Sequence, residues 1–448
     1  MSLANDTAWQ DFLQRSYALG DLQARGLAFV NADALKPFRE PRLMAKLDTL
    51  SERPLVFRDY GLNILPVQNG LYCLFRDPEN RLYYRFDDCF EKLETEAYQS
   101  KVDLQSFDSF KCGGALSSES QVIDYAYLSG LLQTFCADEA LQLTIRGRSF
   151  TGQFNLTLPE GQVITVSNVQ LEIDAGYESA DNLILIEAKI GRRSDFNIRQ
   201  LLFPFYQWRT RTHKPVRPIF LTYSNGEIVL TEFRIGESFG EIEVVSNRAF
   251  VINDNPAALI DFDAALAAVP LLEEPAALTD SIPFPQADDM DRLVDLVQFI
   301  AFEPASKSKI AEHFEFEERQ ADYYGNAAAY LGLARRNRGS NRGFEITEAG
   351  STFLSIASRT QRTRALLARM LAVPSLRESL ILLAQRDFDV NAVKNFEVQE
   401  ILSRHTSLKS GSDTCYRRAI TVKMWLSWLR KNSIFQEKRQ YHLQHVIR

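Results

Sequence analysis

Residues 169–189 read VQLEIDAGYESADNLILIEAK, and the fold expected for the surrounding region follows from this stretch. Two apolar runs with the pattern of β-strands are joined by a polar turn. The first run ends at Asp174, and the second ends in Glu187-Ala188-Lys189. Because side chains alternate across a strand, Glu187 and Lys189 share one face and Ala188 points to the other. Isolated charges in buried strands are costly, so we expect the three charged side chains to converge at one functional point.

The segments on either side of this stretch predict an α/β core. Apolar residues at helical spacing predict a helix that Ser117 or Ser118 caps and that runs to about residue 136, and a second helix over about residues 195–211. Strands are predicted at about residues 141–145, 153–158, 163–174, 183–189, 217–223 and 228–233. This order predicts a mixed sheet flanked by helices, which we assign to residues 111–252.

Two carboxylates and an ammonium at one point suit the hydrolysis of a phosphodiester, which would leave a 5′-phosphate and a 3′-hydroxyl. Asp174 and Glu187 offer hard oxygen ligands for Mg²⁺, and the carbonyl of Ala188 is a third candidate ligand. The ion would polarise the scissile phosphate and lower the pKa of a bound water. Lys189 would orient or deprotonate that water and offset the charge of the transition state. The alternative is a partly exposed salt-bridge cluster at the end of the sheet.

Asp174, twelve further residues and then Glu187-Ala188-Lys189 resemble the motif of the PD-(D/E)XK nuclease superfamily. A similarity to a group of type II restriction endonucleases extends over about residues 119–233 and more weakly into the C-terminal half. It is carried by three further strings, TIRGR at 144–148, EIDAGYE at 172–178 and DFNIRQL at 195–201. Ile173 stands where the superfamily's name has a proline, and this departure leaves the metal-binding aspartate in place.

The resemblance implies roles for residues on the two neighbouring helices. Glu119, on the preceding helix, would assist the metal ion, and Gln200, on the following helix, would face the active site. The alternatives are a simple charge at a helix N-terminus for Glu119 and a solvent-facing polar residue for Gln200. Nearby arginines are candidate contacts to the DNA backbone, with ion pairs to carboxylates as the alternative: Arg146, Arg148, Arg192, Arg193 and Arg199.

The charge of the chain is unevenly distributed. The whole chain has 51 Lys and Arg against 58 Asp and Glu, a formal net charge of −7. Residues 331–448 contain 21 Lys and Arg against 9 Asp and Glu, so this end carries +12 and the rest carries −19. A basic end on an acidic chain predicts a polyanionic partner, here double-stranded DNA. A solvated basic face is the alternative.

Two motifs in the C-terminal half are typical of DNA-binding units. Residues 290–355 predict helices and then a β-hairpin, and this pattern resembles a winged helix with an arginine-rich wing. The candidate contacts on the wing are Arg335, Arg336, Arg338 and Arg342. Residues 356–448 contain a second unit that resembles a helix-turn-helix. Its candidate contacts are Ser412, Thr414, Arg417 and Arg418. The alternative is an all-helical region that binds protein or dimerises.

The remaining segments give weaker indications. Residues 1–110 predict an α+β region without an assigned role, and residues 253–289 predict an acidic connector rich in Pro and Ala. No apolar run is long enough for a membrane span. Residues 1–14 lack the pattern of a signal peptide, so a cytoplasmic location is expected. The five cysteines form no C-x-x-C pair, which favours free thiols over a disulfide framework or a zinc site.

Together these patterns predict a site-specific, Mg²⁺-dependent endonuclease similar to type II restriction enzymes. Cutting both strands requires two active sites, so a homodimer is expected, and functional pairing with a DNA methyltransferase is compatible with this role. Alternatives within nucleases are a structure-specific or repair enzyme and one that depends on modified bases. A DNA-binding regulator with an inactive nuclease core and a protein-interaction module are the alternatives from other classes.

Overall fold

The computed structural model describes residues 3–86, 93–111, 116, 118–275, 282–314, 316–337 and 342–436. Three regions follow one another along the chain: an N-terminal region up to residue 86, a central region from 93 to 252 and a C-terminal region from 253 to 436. None of the described helices combines the length and the apolar composition needed to span a bilayer.

The N-terminal region packs short helices against a three-stranded antiparallel sheet in the order β1-β3-β2. Its elements are α1 (Leu3–Arg15), α2 (Ala18–Arg25), β1 (Leu27–Asn31), α3 (Ala32–Leu35), α4 (Pro41–Ala45), α5 (Leu55–Tyr60), β2 (Leu62–Gln68), β3 (Leu71–Arg76) and β4 (Tyr83–Arg85). The aromatic side chains of Trp9 and Phe57 lie in its core. Strand β4 pairs with β11 (Asp195–Asn197), so backbone hydrogen bonds join this region to the central one.

Seven strands of the described residues form the mixed sheet of the central region, in the order β5-β14-β13-β12-β10-β9-β6. They are β5 (Thr95–Tyr98), β6 (Gln142–Phe150), β9 (Gln170–Glu178), β10 (Leu183–Ile190), β12 (Val216–Ser224), β13 (Glu227–Ile235) and β14 (Ile242–Ile252). A separate hairpin consists of β7 (Phe154–Thr157) and β8 (Val163–Val166). Strand β10 pairs antiparallel with β9 and parallel with β12, which makes the sheet mixed.

Helices cover both faces of this sheet. They are α6 (Asp108–Lys111), α7 (Glu119–Leu128), α8 (Leu131–Cys136) and α9 (Arg199–Arg209). On β10, Ile184 and Ile186 pack in the core that includes α7 and α8, whereas Leu183 and Leu185 pack in the core that includes α9. Every position of β10 is buried, as expected for an inner strand covered on both sides. The predicted α/β core with a mixed sheet flanked by helices is confirmed at this level.

Single-residue changes of backbone conformation set boundaries that the apolar pattern does not show. The helix predicted to run to residue 136 breaks at Gly130, which has a φ of 85°. The strand predicted over 163–174 is interrupted at Asn168, which has a φ of 53°. Strand β14 was not predicted, because its middle is polar and half-exposed and lacks a clear alternation.

The C-terminal region is mainly helical, as predicted. Its helices are α10 (Phe262–Ala268), α11 (Met290–Phe302), α12 (Lys307–Phe314), α13 (Glu318–Tyr330), α14 (Glu348–Leu354), α15 (Arg359–Ala372), α16 (Pro374–Gln385), α17 (Asn395–His405) and α18 (Asp413–Lys431). Its strands are β15 (Ala258–Ile260), β16 (Ala305–Ser306), β17 (Ala334–Asn337), β18 (Gly343–Ile346) and β19 (Ser433–Phe435). Three of them form an antiparallel sheet in the order β16-β18-β17, and β15 pairs parallel with β19.

One hydrophobic core unites the C-terminal region from Ala258 to Leu429. The described part of the segment predicted as a connector, 253–289, contributes to this core with buried side chains such as Phe262 and Phe284. The two segments predicted as separate DNA-binding units, 290–355 and 356–448, also share it over their described residues. Composition does not reveal this packing, because a Pro- and Ala-rich segment needs only a few apolar residues to pack against a core.

Candidate active site

A β-bulge sets the position of Asp174. Gly147 of β6 pairs with Ile173 of β9, but two residues earlier on β6 the partner is Gly176, so β9 carries one extra residue here. Bulges redirect side chains and occur next to active sites. Gly147 has a φ of 95°, which glycine adopts without strain. Next to the bulge, Asp174 faces β10, where its Oδ2 accepts a hydrogen bond of 2.9 Å from the backbone N–H of Ala188.

Glu187 and Lys189 meet Glu119 at the end of β10. The Nζ of Lys189 donates a hydrogen bond of 2.6 Å to Oε1 of Glu187 and lies 3.6 Å from Oε1 of Glu119. Glu187 and Lys189 are each only 8% exposed, whereas the side chain of Glu119 is 39% exposed. Glu119 is the first residue of α7, and the cap of this helix is Ser118, one of the two predicted serines. The structure therefore brings Asp174, Glu187, Lys189 and Glu119 together.

Burial controls the electrostatics of the two carboxyl groups on the sheet. Burial raises the pKa of Asp174, although the charge of Lys189 and the N–H of Ala188 oppose the shift. Burial also raises the pKa of Glu187 to about 8, again against the charge of Lys189. A nearby cation stabilises the charged form of a desolvated carboxyl. The centre is therefore electrostatically suited to a divalent cation.

Gln200 adds a further oxygen beside Glu187. Helix α9 places Gln200 in a narrow cleft whose volume open to the centre of a water molecule is about 10 Å³, near the lower limit for one water. Its Oε1 is buried and accepts no hydrogen bond from the residues that the structure describes. A buried acceptor without a partner is costly, so this oxygen is suited to a ligand or an ordered water.

The donor set fits Mg²⁺, with few protein ligands. Among the described residues, no group of three or more His, Cys, Asp and Glu side chains is placed to hold a metal ion. Mg²⁺ commonly uses one or two carboxylates and keeps several waters. The residues that would hold it are Asp174 and Glu187. Ala188, whose carbonyl is the third candidate ligand, lies beside Asp174 and donates its N–H to that carboxylate.

The two arginines of β6 form surface ion pairs. Arg146 donates to Asp124 of α7, with a shortest distance of 2.6 Å, and Arg148 donates to Glu172 at 3.1 Å. Such exposed pairs contribute little to stability, so both guanidinium groups can exchange a carboxylate for a phosphate. Both arginines lie on the sheet edge beside the bulge that positions Asp174.

Arg192, Arg193 and Arg199 hold regions of the protein together. Arg192 pairs with Glu227 at 2.6 Å and with Asp291 of α11 at 3.0 Å. The buried Arg193 donates to the carbonyl of Phe314, the last residue of α12, at 3.0 Å. Arg199 lies 3.6 Å from Asp48 of the N-terminal region. The ion pairs of Arg192 and Arg199 agree with the alternative that the sequence left open for these arginines.

The candidate contacts of the C-terminal region lie in two places. On β17, Arg335 pairs with Glu345 at 2.6 Å, and Arg336 donates to Asn326 of α13 at 2.7 Å. Arg342 is exposed just before β18, and Arg338 lies outside the described residues.

At the start of α18, Thr414 and Arg417 are exposed, and Ser412 caps the helix by accepting from the N–H of Cys415. Burial lowers the pKa of Arg418, and the hydroxyl of Tyr323 on α13 opposes this shift. The start of α18 therefore lies beside α13, which the sequence did not indicate.

Four arginines of the C-terminal region have partners inside the protein. Arg362 donates to Asn225, and Arg369 donates to the carbonyl of Leu331. Arg359 and Arg377 likewise have internal partners. The net charge of residues 331–448 therefore overstates the charge available to a polyanion.

Sequence reasoning missed the polar residues that join the central and C-terminal regions. Asp291, Asp295 and Gln298 are buried on α11, a helix that is otherwise apolar on its packed face. The sequence does contain a signal for this contact between regions, because the spacing of the three residues places three polar side chains on one face of an apolar helix.

Three family models match the chain, and each is described as a domain of unknown function. They are DUF6996 over residues 6–74, DUF6997 over residues 79–251 and DUF7226 over residues 292–433. No curated protein and no solved structure matches the chain. The fold and the centre thus define a mixed α/β protein with a buried carboxylate–lysine cluster, similar in sequence to three domains whose functions are not known.

Proposed function

We propose that the chain is a Mg²⁺-dependent endonuclease that cuts double-stranded DNA at specific sites, similar to type II restriction enzymes of the PD-(D/E)XK superfamily. The observation that carries this proposal is the convergence of Asp174, Glu187 and Lys189 on two paired strands, with Lys189 only 2.6 Å from Glu187. An ordinary structural ion pair would not require a second, half-buried carboxyl and a bulge beside it.

In this proposal the metal ion is held by Asp174 and Glu187. When bound, Mg²⁺ supplies charge stabilisation at the scissile phosphate and a more acidic water. The two strands fix both carboxylates before substrate arrives, which reduces the reorganisation needed during the reaction. The products would carry a 5′-phosphate and a 3′-hydroxyl.

Lys189 would act next to the reacting phosphate. Its ammonium is paired with Glu187 and Glu119. A metal ion that shares the charge of Glu187 would leave this ammonium to orient the attacking water and to offset negative charge in the transition state. Gln200 would hold water or ligand in the cleft that Glu187 also lines, and Glu119, beside Lys189, would assist the metal ion.

The C-terminal region supports DNA as the substrate. The order α11, β16, α12, α13, β17, β18, with an antiparallel sheet in the order β16-β18-β17, resembles a winged helix. Arg335, Arg336 and Arg342 lie on its hairpin, and α17 and α18 add a helix-turn-helix-like pair. The proposed DNA-contacting surface consists of these elements and of Arg146 and Arg148.

A homodimer is part of the proposal, because one active site cuts one strand. The mass of the DNA complex in solution tests it, since two chains of 51.1 kDa per DNA duplex are expected.

The experiment is digestion of unmodified phage DNA with Mg²⁺ or EDTA, by the normal protein and by a Lys189→Ala variant. Lys214→Ala is the matched control, because Lys214 is a half-buried lysine that is likewise paired with a carboxylate, Glu178, the last residue of β9. Discrete fragments that need Mg²⁺ and Lys189 but not Lys214 support the proposal. DNA that is bound but uncut by the normal protein contradicts it and favours a regulator, whereas cutting of modified DNA alone favours a modification-dependent nuclease.

A further inference from the structure

A polar network joins helix α11 of the C-terminal region to the end of the sheet that carries the candidate active site. On α11, Asp291, Asp295 and Gln298 are 0%, 3% and 7% exposed, although the rest of the packed face is apolar. Their spacing places them along one face of the helix. Each of them contacts the central region.

Asp295 accepts two hydrogen bonds from the turn between β12 and β13. The hydroxyl of Ser224 donates to Oδ2 of Asp295 at 2.5 Å, and the backbone N–H of Asn225 donates to Oδ1 at 2.8 Å. The side-chain amide of Asn225 donates to Asp291 at 2.9 Å. Asn225 is itself only 1% exposed. The tip of this turn is therefore embedded in the C-terminal region.

The same turn is bonded to the segment that follows Lys189. Strand β10 pairs with β12 as far as Tyr223, and the N–H of Gly191 then donates to the carbonyl of Tyr223 at 2.7 Å. Arg192, the next residue, pairs with Asp291 at 3.0 Å. Helix α11 thus holds the end of β10, the strand of Glu187 and Lys189, in two ways: through the turn between β12 and β13 and through Arg192.

Gln298 contacts the segment that leads into α7, the helix that begins with Glu119. Its amide donates to the carbonyl of Leu116 at 2.6 Å, two residues before Ser118, the cap of the helix that begins with Glu119. One face of α11 therefore contacts both the segment that follows Lys189 and the segment that precedes Glu119.

We propose that Asp291, Asp295 and Gln298 are positioning residues, which fix the ends of β10 and α7 so that the C-terminal region takes part in catalysis as well as in DNA binding. This inference rests on the proposed nuclease function. A buried polar network is a poor way to gain stability compared with apolar packing, but it fixes orientation. Phosphodiester hydrolysis needs such orientation, because a misplacement of about 1 Å costs on the order of 100-fold in rate.

The test compares Asp295→Ala with Glu274→Ala. Glu274 is a matched control within the C-terminal region, because it is 5% exposed and accepts hydrogen bonds from the N–H and the hydroxyl of Ser375. For both variants, DNA affinity in EDTA, the single-turnover cleavage rate with Mg²⁺ and amide hydrogen exchange over residues 187–193 are measured.

The expected result for Asp295→Ala is a cleavage rate about 10- to 100-fold lower, an unchanged Kd and faster exchange over residues 187–193. The isosteric Asp295→Asn variant should restore most of the rate, and Glu274→Ala should cut at the normal rate. If Asp295→Ala does not fold, Gln298→Ala takes its place with the same expectation.

Two results would overturn the inference and leave the nuclease intact. One is an Asp295→Ala variant that cuts within about twofold of the normal rate, and the other is an equal loss in Glu274→Ala. If the normal protein does not cut DNA in the same assay, the proposed function fails and the inference fails with it, so the two failures are distinguishable.

Discussion

The buried side chain of Glu187 and the half-buried side chain of Asp174 lie beside one lysine, so the cluster has more carboxyl groups than nearby cations at its centre. Burial raises the pKa of both carboxyl groups. A folded protein tolerates such destabilised groups where they bind a ligand. The stability of the protein should therefore respond to Mg²⁺.

We predict that Mg²⁺ raises the melting temperature of the normal protein but not of Asp174→Asn. A ligand at about 100 times its Kd adds about 2.7 kcal/mol to the free energy of unfolding. Glu172→Gln is the control, because Glu172 lies on the same strand but is exposed and paired with Arg148. Thermal denaturation with Mg²⁺ or EDTA measures the effect, and an equal Mg²⁺ response in Asp174→Asn would place the metal elsewhere.

Asp295 should give the protein a pH-dependent stability. Burial raises the pKa of Asp295 to about 7 from a usual value of 3.8. The folded state then binds this proton more tightly than the unfolded state, so stability falls as pH rises from about 4 to about 7. At about 1.4 kcal/mol per pKa unit, the loss in the free energy of unfolding over this range is roughly 4 kcal/mol.

Chemical denaturation of the normal protein and of Asp295→Asn between pH 4 and pH 8 tests this expectation. The variant should gain stability relative to the normal protein as the pH rises through that range. Free energies of unfolding that keep a constant difference would show that Asp295 is charged in both states.

Among the elements, β10 and β12 were the most predictable from sequence, whereas β9 continues past Asp174 to Glu178. The alternation of Glu187 and Lys189 and the position of the strand at residues 183–190 agree with the pattern of apolar residues. The bulge beside Asp174 was not predictable, because it depends on the pairing of β9 with β6, which are separate segments of the chain. The contacts of Arg192 and the burial of Arg193 were missed for the same reason, since their partners lie on α11 and α12.

The bulge should depend on Gly147. An alanine at its φ of 95° would be strained although its Cβ would meet open space, so we expect Gly147→Ala to cost about 1–3 kcal/mol and to reduce cleavage. Gly20→Ala is the control, because Gly20 lies within α2 with no atom near its Cβ. That change should stabilise the protein by about 0.5–1 kcal/mol. Denaturation and cleavage rates of both variants check this, and a fully active, stable Gly147→Ala would contradict the role of the bulge.

For the whole molecule, the three regions are less independent than composition suggests. The chain was expected to contain a nuclease core, a connector and two separate DNA-binding units. The described structure has one core for the whole C-terminal region, and α11 is bonded to the central sheet. Composition and net charge describe each segment alone, whereas these contacts depend on segments that are far apart in sequence.

DNA binding by the whole protein should depend steeply on salt. If Arg417 contacts a phosphate, Arg417→Ala should weaken binding to all sequences about equally and reduce the slope of log K against log salt by about 1. Arg386→Ala is the control, because Arg386 is an exposed arginine of the same region that pairs with Glu397. Binding isotherms at several salt concentrations measure the slope, and an unchanged slope for Arg417→Ala would exclude α18 from the phosphate contacts.

The most direct test of a site-specific nuclease is the chemistry of the ends it makes. Unmodified DNA is incubated with the normal protein and Mg²⁺, and the fragments are then treated with DNA ligase before and after removal of terminal phosphates. We predict discrete fragments that ligase rejoins, and that no longer rejoin once the 5′-phosphates are removed. Intact DNA, or fragments of random length, would contradict the assignment of Asp174, Glu187 and Lys189 to site-specific hydrolysis.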